Sequence, residues 1–283
     1  MAAARSASRI TFQRHPWRRV IVRPVIALLT DFGTRDHYVG AMRGVVLDIC
    51  PDATVVDITH DVPAHDVLTA GLELAASYRY FPTGTIFLVV VDPGVGSTRR
   101  GLAADTGDYR FVAPDNGVLT SVFREDPPKR VVQLTERRYA RPTVSRTFEG
   151  RDRFAPGAAW LAKGIELNAL GRPVTDYRML DIPVAGVEGG RIVGEVLRVD
   201  RFGNLVSNID RHTFEQFATG GSLRIDVAEQ EIGRLVETYA DIREGEVCAL
   251  FGSTDHLEVA ANEASAAERL SVDRGAAVVV SRS

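Results

Sequence analysis

A carboxylate and two guanidinium groups flank a glycine-containing turn in the stretch FLVVVDPGVGSTRRG, residues 87–101. A run of apolar residues ends at Asp92, and Arg99 and Arg100 follow after a short loop. Glycine lets the backbone approach a small ligand closely, and a carboxylate paired with an arginine can hold and orient a polar molecule. A tight turn with a surface ion pair, which contributes little stability, would have the same sequence. Taken alone, the stretch fits both interpretations.

Acidic side chains also end the other predicted strands in this part of the chain. Asp31 ends the run VIALLTD, and Asp57 and His60 lie at the end of ATVVDITH. In an open α/β sheet, ligands bind beyond the carboxyl ends of the strands. A buried strand that ends in a carboxylate must hydrogen-bond that group or present it to a ligand, so three such strands favour a binding site.

Four possible metal ligands, His60, Asp61, His65 and Asp66, lie close together in the sequence. These residue types suit zinc, iron or manganese. The cluster lacks the H-E-x-x-H spacing, and the same residues would serve to cap the following helix. We therefore predict no metal site.

Two known glycine-rich motifs can be compared with the glycine-containing turn. It lacks the GxxxxGK[ST] pattern of a Walker loop. Its D-x-G-x-G pattern resembles the first motif of S-adenosylmethionine-dependent methyltransferases, in which the glycine loop opens a helix directly. Here the continuation TRRGLAADTG predicts a strand and a turn, so the match to a methyltransferase is weak.

Buried strands alternate with amphipathic helices in the first half of the chain. The apolar run VIALLTDF precedes RDHYVGAMRGVVLDIC, in which apolar residues recur every three or four positions. The strand ATVVDITH and the helix DVLTAGLELAASYRYF, with Asp66 as a possible N-cap, repeat this pattern, and GTIFLVVVD is a third strand. The alternation predicts a mostly parallel sheet with helices on both faces.

The second half of the chain has a different pattern of apolar and turn-forming residues. Proline and glycines predict a linker within residues 181–190, and RFAPGAAWLAKGI before it predicts another helix. The short alternating segments that follow predict a small antiparallel sandwich or barrel. We therefore predict a flexible N-terminal extension over residues 1–24, an α/β domain over residues 25–182 and a smaller antiparallel β-barrel domain over residues 190–283.

Composition limits the partners and the compartment. The 283 residues carry a formal net charge of −3, whereas nucleic-acid-binding domains are usually basic, so we expect no nucleic-acid partner. No apolar run is long enough to span a membrane. Cys50 and Cys248 lie far apart, which predicts buried thiols in a reducing compartment, and we expect a cytoplasmic protein. The Arg- and Ser-containing first residues also resemble a transit peptide, but we favour a flexible extension.

Six motifs occur in order along the chain: LLTDFGTRDHYVGAMRG, VVDITHDVPAHDV, VVVDPGVGSTRRG, APDNGVLT, TFEGRDRFAP and DRFGNLVSNI. Together they resemble the S-adenosylmethionine hydroxide adenosyltransferases, adenosine-forming hydrolases related to the bacterial fluorinase and chlorinase. The resemblance extends from about Ile26 to the C-terminus and so covers nearly everything except the extension.

The resemblance implies a fold, an assembly and a reaction. It implies an N-terminal α/β domain, a C-terminal β-barrel domain and a homotrimer, with the ligand between the N-terminal domain of one subunit and the C-terminal domain of the next. The implied reaction is attack of water or hydroxide on the ribose 5′ carbon of S-adenosylmethionine, which gives adenosine and methionine without a metal or a cofactor.

The resemblance also implies six substrate-binding residues: Asp31, Phe148, Phe202, Asn204, Ser253 and Glu263. Asp31 would hold the ribose hydroxyls, Asn204 would hydrogen-bond the adenine, and Phe202 would form an apolar wall beside it. Ser253 would meet the methionine portion, and the backbone near Glu263 would complete the adenine pocket.

The catalytic positions implied by the resemblance depart from the family at one residue. The hydrolases combine an Asp, an Arg and the His of a TFHGRD motif, whereas this chain keeps Asp92 and Arg99 but has TFEGRD, with Glu149 at the His position. Asp92 stands where the halogenases carry a tyrosine. Gly150 stands where the fluorinase carries a serine that helps to hold fluoride, which disfavours a halogenase.

Elementary chemistry assigns roles to these three side chains. A sulfonium is an excellent leaving group, so the difficult steps are stripping water from the nucleophile and aligning it. We predict that Arg99 holds the nucleophile, Asp92 orients it, and Glu149 acts as a general base with a raised pKa, because two close carboxyl groups in a dry pocket cannot both ionise freely. Alternatively, Glu149 pairs with Arg99 or Arg151, or turns to solvent, which would leave a slow enzyme or a binding protein.

We therefore predict a homotrimeric hydrolase of S-adenosylmethionine. Three alternatives stay open: a non-catalytic protein that binds S-adenosylmethionine or adenosine, a metal-dependent phosphoesterase built on His60, His65 and the aspartates at the strand ends, and a methyltransferase.

Overall fold

The computed structural model describes residues 23–219 and 222–282. The predicted N-terminal extension over residues 1–24 therefore lies almost entirely outside the described residues. The two halves of the chain form two separate sheets, one of seven strands and one of eight.

The first sheet is mostly parallel in its central part. Its strands are β1 (Val25–Thr30), β2 (Thr54–Thr59), β3 (Ile86–Val90), β4 (Gly101–Asp105), β5 (Arg110–Pro114), β6 (Arg130–Leu134) and β7 (Gly171–Pro173). They lie in the order β2-β1-β3-β5-β4-β6-β7. The pairs β1–β2, β1–β3 and β3–β5 are parallel, and β4, β6 and β7 add antiparallel pairs.

Apolar layers cover both faces of this sheet. One face packs against α1 (Tyr38–Ile49) and α4 (Ala155–Ala162), and the other against α2 (Val67–Ser77) and α3 (Thr120–Glu125). Neighbouring strand residues therefore enter different cores: Leu28 faces the α1 side and Leu29 faces the α2 side, and both are fully buried. The predicted sheet with flanking helices is confirmed.

The second sheet is antiparallel and nearly closed into a barrel. Its strands are β8 (Gly186–Glu188), β9 (Arg191–Val199), β10 (Leu205–Asp210), β11 (Leu223–Val227), β12 (Gln230–Ile232), β13 (Val247–Phe251), β14 (His256–Ala261) and β15 (Ala277–Arg282), with α5 (Arg211–Ala218) and α6 (Ala266–Leu270). The order is β12-β11-β15-β9-β10-β14-β13, and β8 pairs with β9. β12 and β13 are the two edge strands of this sheet. Arg234 and Val236, which follow β12, form backbone hydrogen bonds with Ala249 of β13 and so partly close the gap between these edges. The predicted antiparallel barrel-like half is confirmed.

Among residues 23–219 and 222–282, two ion pairs join the halves of the chain. Arg198 on β9 donates to Glu73 on α2 at 2.7 Å, and Arg274 donates to Asp66 at 2.9 Å. Asp66 also accepts the Thr69 amide at 3.0 Å, so it is the N-cap of α2 that the sequence predicts.

The thiols agree with the sequence-based expectation, since Cys50 and Cys248 are both free and buried. In the described part of the chain, no helix combines the length and apolar character needed to cross a membrane.

A glycine at the start of β4 makes room for an aromatic ring. The segment Gly150–Phe154 forms a π-helical turn that leads into α4. A Cβ at Gly101 would overlap the Phe154 ring, which is itself fully buried. The close approach of strand and ring therefore requires glycine at this position.

We expect Gly101→Ala to lower the free energy of unfolding by about 1–3 kcal/mol, because overpacking displaces the Phe154 ring. Urea unfolding measures this change. Gly186→Ala is the matched control: this strand glycine has open space around its Cα, so its substitution should change stability by less than about 0.5 kcal/mol. Equal losses in the two variants would contradict the packing argument.

Candidate active site

Four predicted site residues meet around one cavity of about 290 Å³. Asp31 follows β1, Asp92 follows β3, and Phe148 and Glu149 immediately precede the π-helical turn. Because β1 and β3 are adjacent parallel strands, their carboxyl ends bring Asp31 and Asp92 to the same edge of the sheet. Asp57, the third strand-end aspartate, instead pairs with Arg43 of α1.

Arg99 joins two carboxylates at this cavity. Its Nη2 atom donates to Asp92 Oδ2 at 2.5 Å and to Glu149 Oε2 at 2.7 Å, and its Nη1 atom donates to the Arg100 carbonyl at 2.9 Å. The guanidinium carbon lies 5.2 Å from the centre of the Phe154 ring, so the ring stabilises the cation by a cation–π interaction. The structure therefore brings the three predicted catalytic residues together. Glu149 pairs with Arg99, as one of the sequence alternatives stated.

The guanidinium of Arg151 is occupied elsewhere. Its Nε and Nη2 atoms donate to the fully buried carboxylate of Asp152 at 2.6 and 2.7 Å. Asp152 Oδ2 also accepts the Ser145 amide at 2.8 Å, which ties the preceding loop to the π-helical turn. Arg151 therefore does not take the alternative pairing with Glu149 that the sequence left open.

Of the two carboxyl groups bound to Arg99, Asp92 is the more enclosed. Its side chain is 5% exposed, against 15% for Glu149. Burial raises the pKa of the Asp92 carboxyl; the Arg99 cation opposes this shift, and the Glu149 carboxylate adds to it. Its Oδ1 atom is buried and has no hydrogen-bonding partner among the described residues. A raised pKa at Asp92 is a feature that the sequence did not predict.

A backbone amide orients Asp31. The His65 N–H donates to Asp31 Oδ2 at 2.9 Å, and His65 has φ of +70°, a left-handed conformation that is uncommon for residues other than glycine. Both residues line the 290 Å³ cavity. The conformation of His65 thus aims its amide at the carboxylate that we expect to hold the ribose.

The histidines and aspartates of residues 60–66 make separate local contacts. His60 Nδ1 lies 2.9 Å from the Thr30 hydroxyl, and its Nε2 lies 3.1 Å from Asp57 Oδ1. Asp66 caps α2, while His65 orients Asp31 through its backbone. Within residues 23–219 and 222–282, no group of three or more His, Cys, Asp and Glu side chains is arranged to hold a metal ion.

Aromatic rings form one wall of the cavity. The Phe148 ring lies 6.0 Å from Phe32 and 5.2 Å from Tyr38, in both cases edge to face. All three residues line the cavity. Only Phe148 of these three was predicted as a site residue from the sequence. Phe32 directly follows Asp31, and Tyr38 belongs to the apolar pattern of α1, so their positions gave the available signal.

Two of the predicted binding residues lie on a loop between β9 and β10. Asp200 holds this loop: its carboxylate accepts the amides of Phe202 and Asn204, each at 2.8 Å, and the Asn204 side-chain amide at 2.9 Å. Asn204 is buried, whereas Phe202 is 76% exposed. Asp200 was not predicted as a site residue, although its position at the start of DRFGN is typical of an acidic turn residue.

The other two predicted binding residues also lie in the second half of the chain. Ser253 is exposed in the turn between β13 and β14 and lines a separate cavity of about 510 Å³. Glu263 follows β14 with φ of +53° and is exposed. None of Phe202, Asn204, Ser253 and Glu263 lines the cavity of Asp92 within the described chain.

The fold and this site define an α/β half with a cavity lined by carboxylates and aromatic rings beyond the carboxyl ends of its strands, followed by an antiparallel barrel-like half. The family model of the SAM hydroxide adenosyltransferase N-terminal domain matches residues 26–171, and that of the C-terminal domain matches residues 194–279. The chain therefore belongs to the S-adenosylmethionine hydroxide adenosyltransferase family, as the motifs indicated.

Individual relatives match nearly the whole chain. A Thermus thermophilus protein named (R)-S-adenosyl-L-methionine hydrolase is 38% identical over 262 residues, which cover 90% of this chain and 98% of the relative. A fluorinase from Actinoplanes sp. is 29% identical over 297 residues, which cover 92% and 98%. The crystal structure of an uncharacterized conserved protein from Thermotoga maritima superposes with a TM-score of 0.86 at 37% identity and covers 91% of this chain and 100% of its own.

The raised pKa of Asp92 predicts the sign of a pH effect on stability. A carboxyl whose pKa is raised by folding contributes stability that is lost as the pH rises through the folded-state pKa. We therefore expect the free energy of unfolding of Asp92→Asn to improve relative to the wild type as the pH rises from about 4 towards 8. Urea unfolding at a series of pH values measures this difference.

Asp152 provides a control of opposite sign. Burial raises the pKa of Asp152, but hydrogen bonds from Arg151 and the Ser145 amide outweigh burial, so its pKa is lowered. Its stabilising contribution is present above the ordinary pKa and is lost in acid. Asp152→Asn should therefore lose stability relative to the wild type as the pH rises. Parallel trends in the two variants would contradict the assignment.

Proposed function

We propose that this protein hydrolyses S-adenosyl-L-methionine to adenosine and L-methionine by attack of water or hydroxide on the ribose 5′ carbon. The observation that carries the proposal is the buried Asp92–Arg99 pair at the cavity, in a chain that belongs to this family. The family match and the hydrolase relative support hydrolysis of S-adenosylmethionine as the reaction. Asp92 and Arg99 supply a carboxylate and a guanidinium that could bind and orient the attacking water.

In the proposed step, Asp92 Oδ1, which has no partner among the described residues, accepts a hydrogen bond from the attacking water. Arg99, which donates to the other oxygen of Asp92, would stabilise hydroxide character on the nucleophile as its proton leaves. The water oxygen forms a bond to C5′, and the C5′–S bond breaks with its electron pair going to sulfur. The water proton passes to Asp92, whose raised pKa makes it a better proton acceptor than an ordinary aspartate.

The rest of the cavity suits the remainder of the substrate. Asp31, already oriented by the His65 amide, would accept hydrogen bonds from the ribose hydroxyls. The cationic sulfonium is attracted by the carboxylates around Arg99, and the aromatic wall of Phe148 excludes water from the reacting atoms. Gly150 lines the cavity without a hydroxyl that could donate to a halide, which favours hydrolysis over halogenation.

We further propose a homotrimer in which Phe202, Asn204, Ser253 and Glu263 of one subunit complete the cavity of the next. None of the four lines the Asp92 cavity in the described part of the chain, and Phe202 is 76% exposed; both observations support a shared site. The two family models, matching residues 26–171 and 194–279, support domains over residues 25–182 and 190–283. Buried free thiols at Cys50 and Cys248 support a cytoplasmic location.

Product analysis tests the proposed reaction. Purified protein should convert S-adenosylmethionine to adenosine and methionine, and separate incubations with the (R) and (S) sulfonium forms test whether it shares the preference in its relatives' name. S-adenosylhomocysteine as product would indicate a methyltransferase. Binding without turnover would indicate a binding protein, the alternative that the Glu149–Arg99 pairing keeps open.

Variants at position 149 test the role of the glutamate. If Asp92 is the proton acceptor, Glu149→Gln should keep measurable turnover, whereas Asp92→Asn should lower kcat by about 100-fold or more. Asp57→Asn is a control, because this carboxylate lies at a strand end but pairs with Arg43. Loss of all turnover in Glu149→Gln with little change in Asp92→Asn would assign the base to Glu149.

Subunit mixing tests the shared site. Asp92→Asn and Asn204→Ala should each be nearly inactive, but a mixture that exchanges subunits should recover activity, because some cavities then combine two intact halves. For random trimers mixed in equal amounts, recovery should approach about a quarter of wild-type turnover. A mixture that exchanges subunits without any recovery would place both residues in a site formed by one chain.

A further inference from the structure

Glu149 is held between two guanidinium groups, one on each oxygen. Arg99 Nη2 donates to Oε2 at 2.7 Å, and Arg153 Nη2 lies 3.6 Å from Oε1. Arg153 is four residues after Glu149, and the π-helical turn between them places both side chains on one side of the backbone. Together with Asp92, these side chains form a row of alternating charge: Asp92, Arg99, Glu149 and Arg153.

Arg153 approaches this row from outside the reacting cavity. It does not line the 290 Å³ cavity, and it lines a different one of about 340 Å³ on the side of β6. Its Nη1 atom donates to the Leu134 carbonyl at the end of β6 at 3.1 Å, which fixes the guanidinium. Arg153 therefore cannot touch a substrate bound beside Asp92, but it can act through Glu149.

We propose that Arg153 is a positioning residue for the reaction: it holds Oε1 of Glu149, so that Oε2 remains on Arg99 and Arg99 remains on Asp92. Without Arg153, two carboxylates would share one cation in an enclosed site, and repulsion would rotate or protonate one of them. The proposal is specific to a chain with glutamate at this position, since a histidine beside Arg153 would face a like charge whenever it was protonated.

The effect on the rate rests on the proposed function, but the effect on Glu149 itself does not. The other charged or titratable groups that face Glu149 across or beside the cavity are Asp92, Arg99, Asp31, His65 and Tyr38. A change in pH dependence on removing Arg153 must therefore be shown to pass through Glu149, which a double-mutant cycle achieves.

The first experiment compares kcat and KM across pH for Arg153→Met, Arg153→Lys, Glu149→Gln and the Glu149→Gln/Arg153→Met double variant. Arg153→Met should lower kcat about threefold to tenfold, with little change in KM, and move the acid limb of the profile to higher pH. Arg153→Lys should restore much of kcat. In the Glu149→Gln background, Arg153→Met should have no further effect on the acid limb.

Arg137→Met is the matched control, because Arg137 lines the same 340 Å³ cavity and forms no ion pair among the described residues. It should leave kcat and its pH profile unchanged. If Arg153→Met shifts the acid limb equally with glutamate or glutamine at position 149, the proposal is wrong.

A second experiment tests whether the effect of Arg153 on kcat reverses when residue 149 can carry a positive charge. Glu149→His places a titratable cation beside Arg153, so adding Arg153→Met should raise kcat of the histidine variant, although the same change lowers kcat of the wild type. A decrease in both backgrounds would contradict the proposal.

Stability gives a readout that does not need activity. Urea unfolding at neutral pH should show that Arg153→Met destabilises the wild type more than it destabilises Glu149→Gln. That coupling would hold even if no S-adenosylmethionine were hydrolysed, so failure of the proposed function and failure of this inference are separable. Additive changes in unfolding free energy, with no coupling between positions 149 and 153, would overturn it.

Discussion

One guanidinium that bonds two carboxylates in an enclosed site is the constraint on which the rest of this structure depends. Arg99, Asp92 and Glu149 are all largely removed from water, so the charge on each carboxylate depends on the Arg99 cation that they share. Several local features make this contact possible. The glycine-containing turn after β3 brings Arg99 back to Asp92, and Glu149 directly precedes the π-helical turn. Because Gly101 has no side chain, the Phe154 ring can pack close enough to contact the Arg99 cation.

The parallel part of the sheet explains why the remaining polar groups converge on that contact. Adjacent parallel strands end at one edge, which brings Asp31 within the same cavity as Asp92 without any contact between the two loops being required. The barrel half contributes differently. Its loop between β9 and β10 is held by hydrogen bonds to the Asp200 carboxylate and presents the Phe202 ring outwards. The proposed reaction thus joins a chemical half and a recognition half that fold on separate cores.

Most of the fold could be predicted from the sequence because apolar periodicity is a local signal. The runs before Asp31 and Asp92 became buried strands, and the three- and four-residue spacing after Asp31 became α1. The motifs also identified Asp92, Arg99 and Glu149 as neighbours. The distribution of charge among them could not be predicted, since the raised pKa of Asp92 depends on a difference in burial that arises only after packing. The left-handed His65 and the contact of Arg153 with Glu149 likewise depend on backbone geometry that spacing does not specify.

The loop that carries Phe202 has a consequence for how subunits would meet. Asp200 accepts the amides of Phe202 and Asn204, and Gly203 between them has φ of +83°. The exposed Phe202 ring is therefore attached to a backbone that already lost its conformational freedom when the chain folded. In the proposed trimer, association would therefore need to immobilise little more than the two torsions of the ring itself. A rigid hydrophobic contact residue of this kind would lower the entropic penalty of that association and would favour a single orientation between the proposed neighbouring subunits.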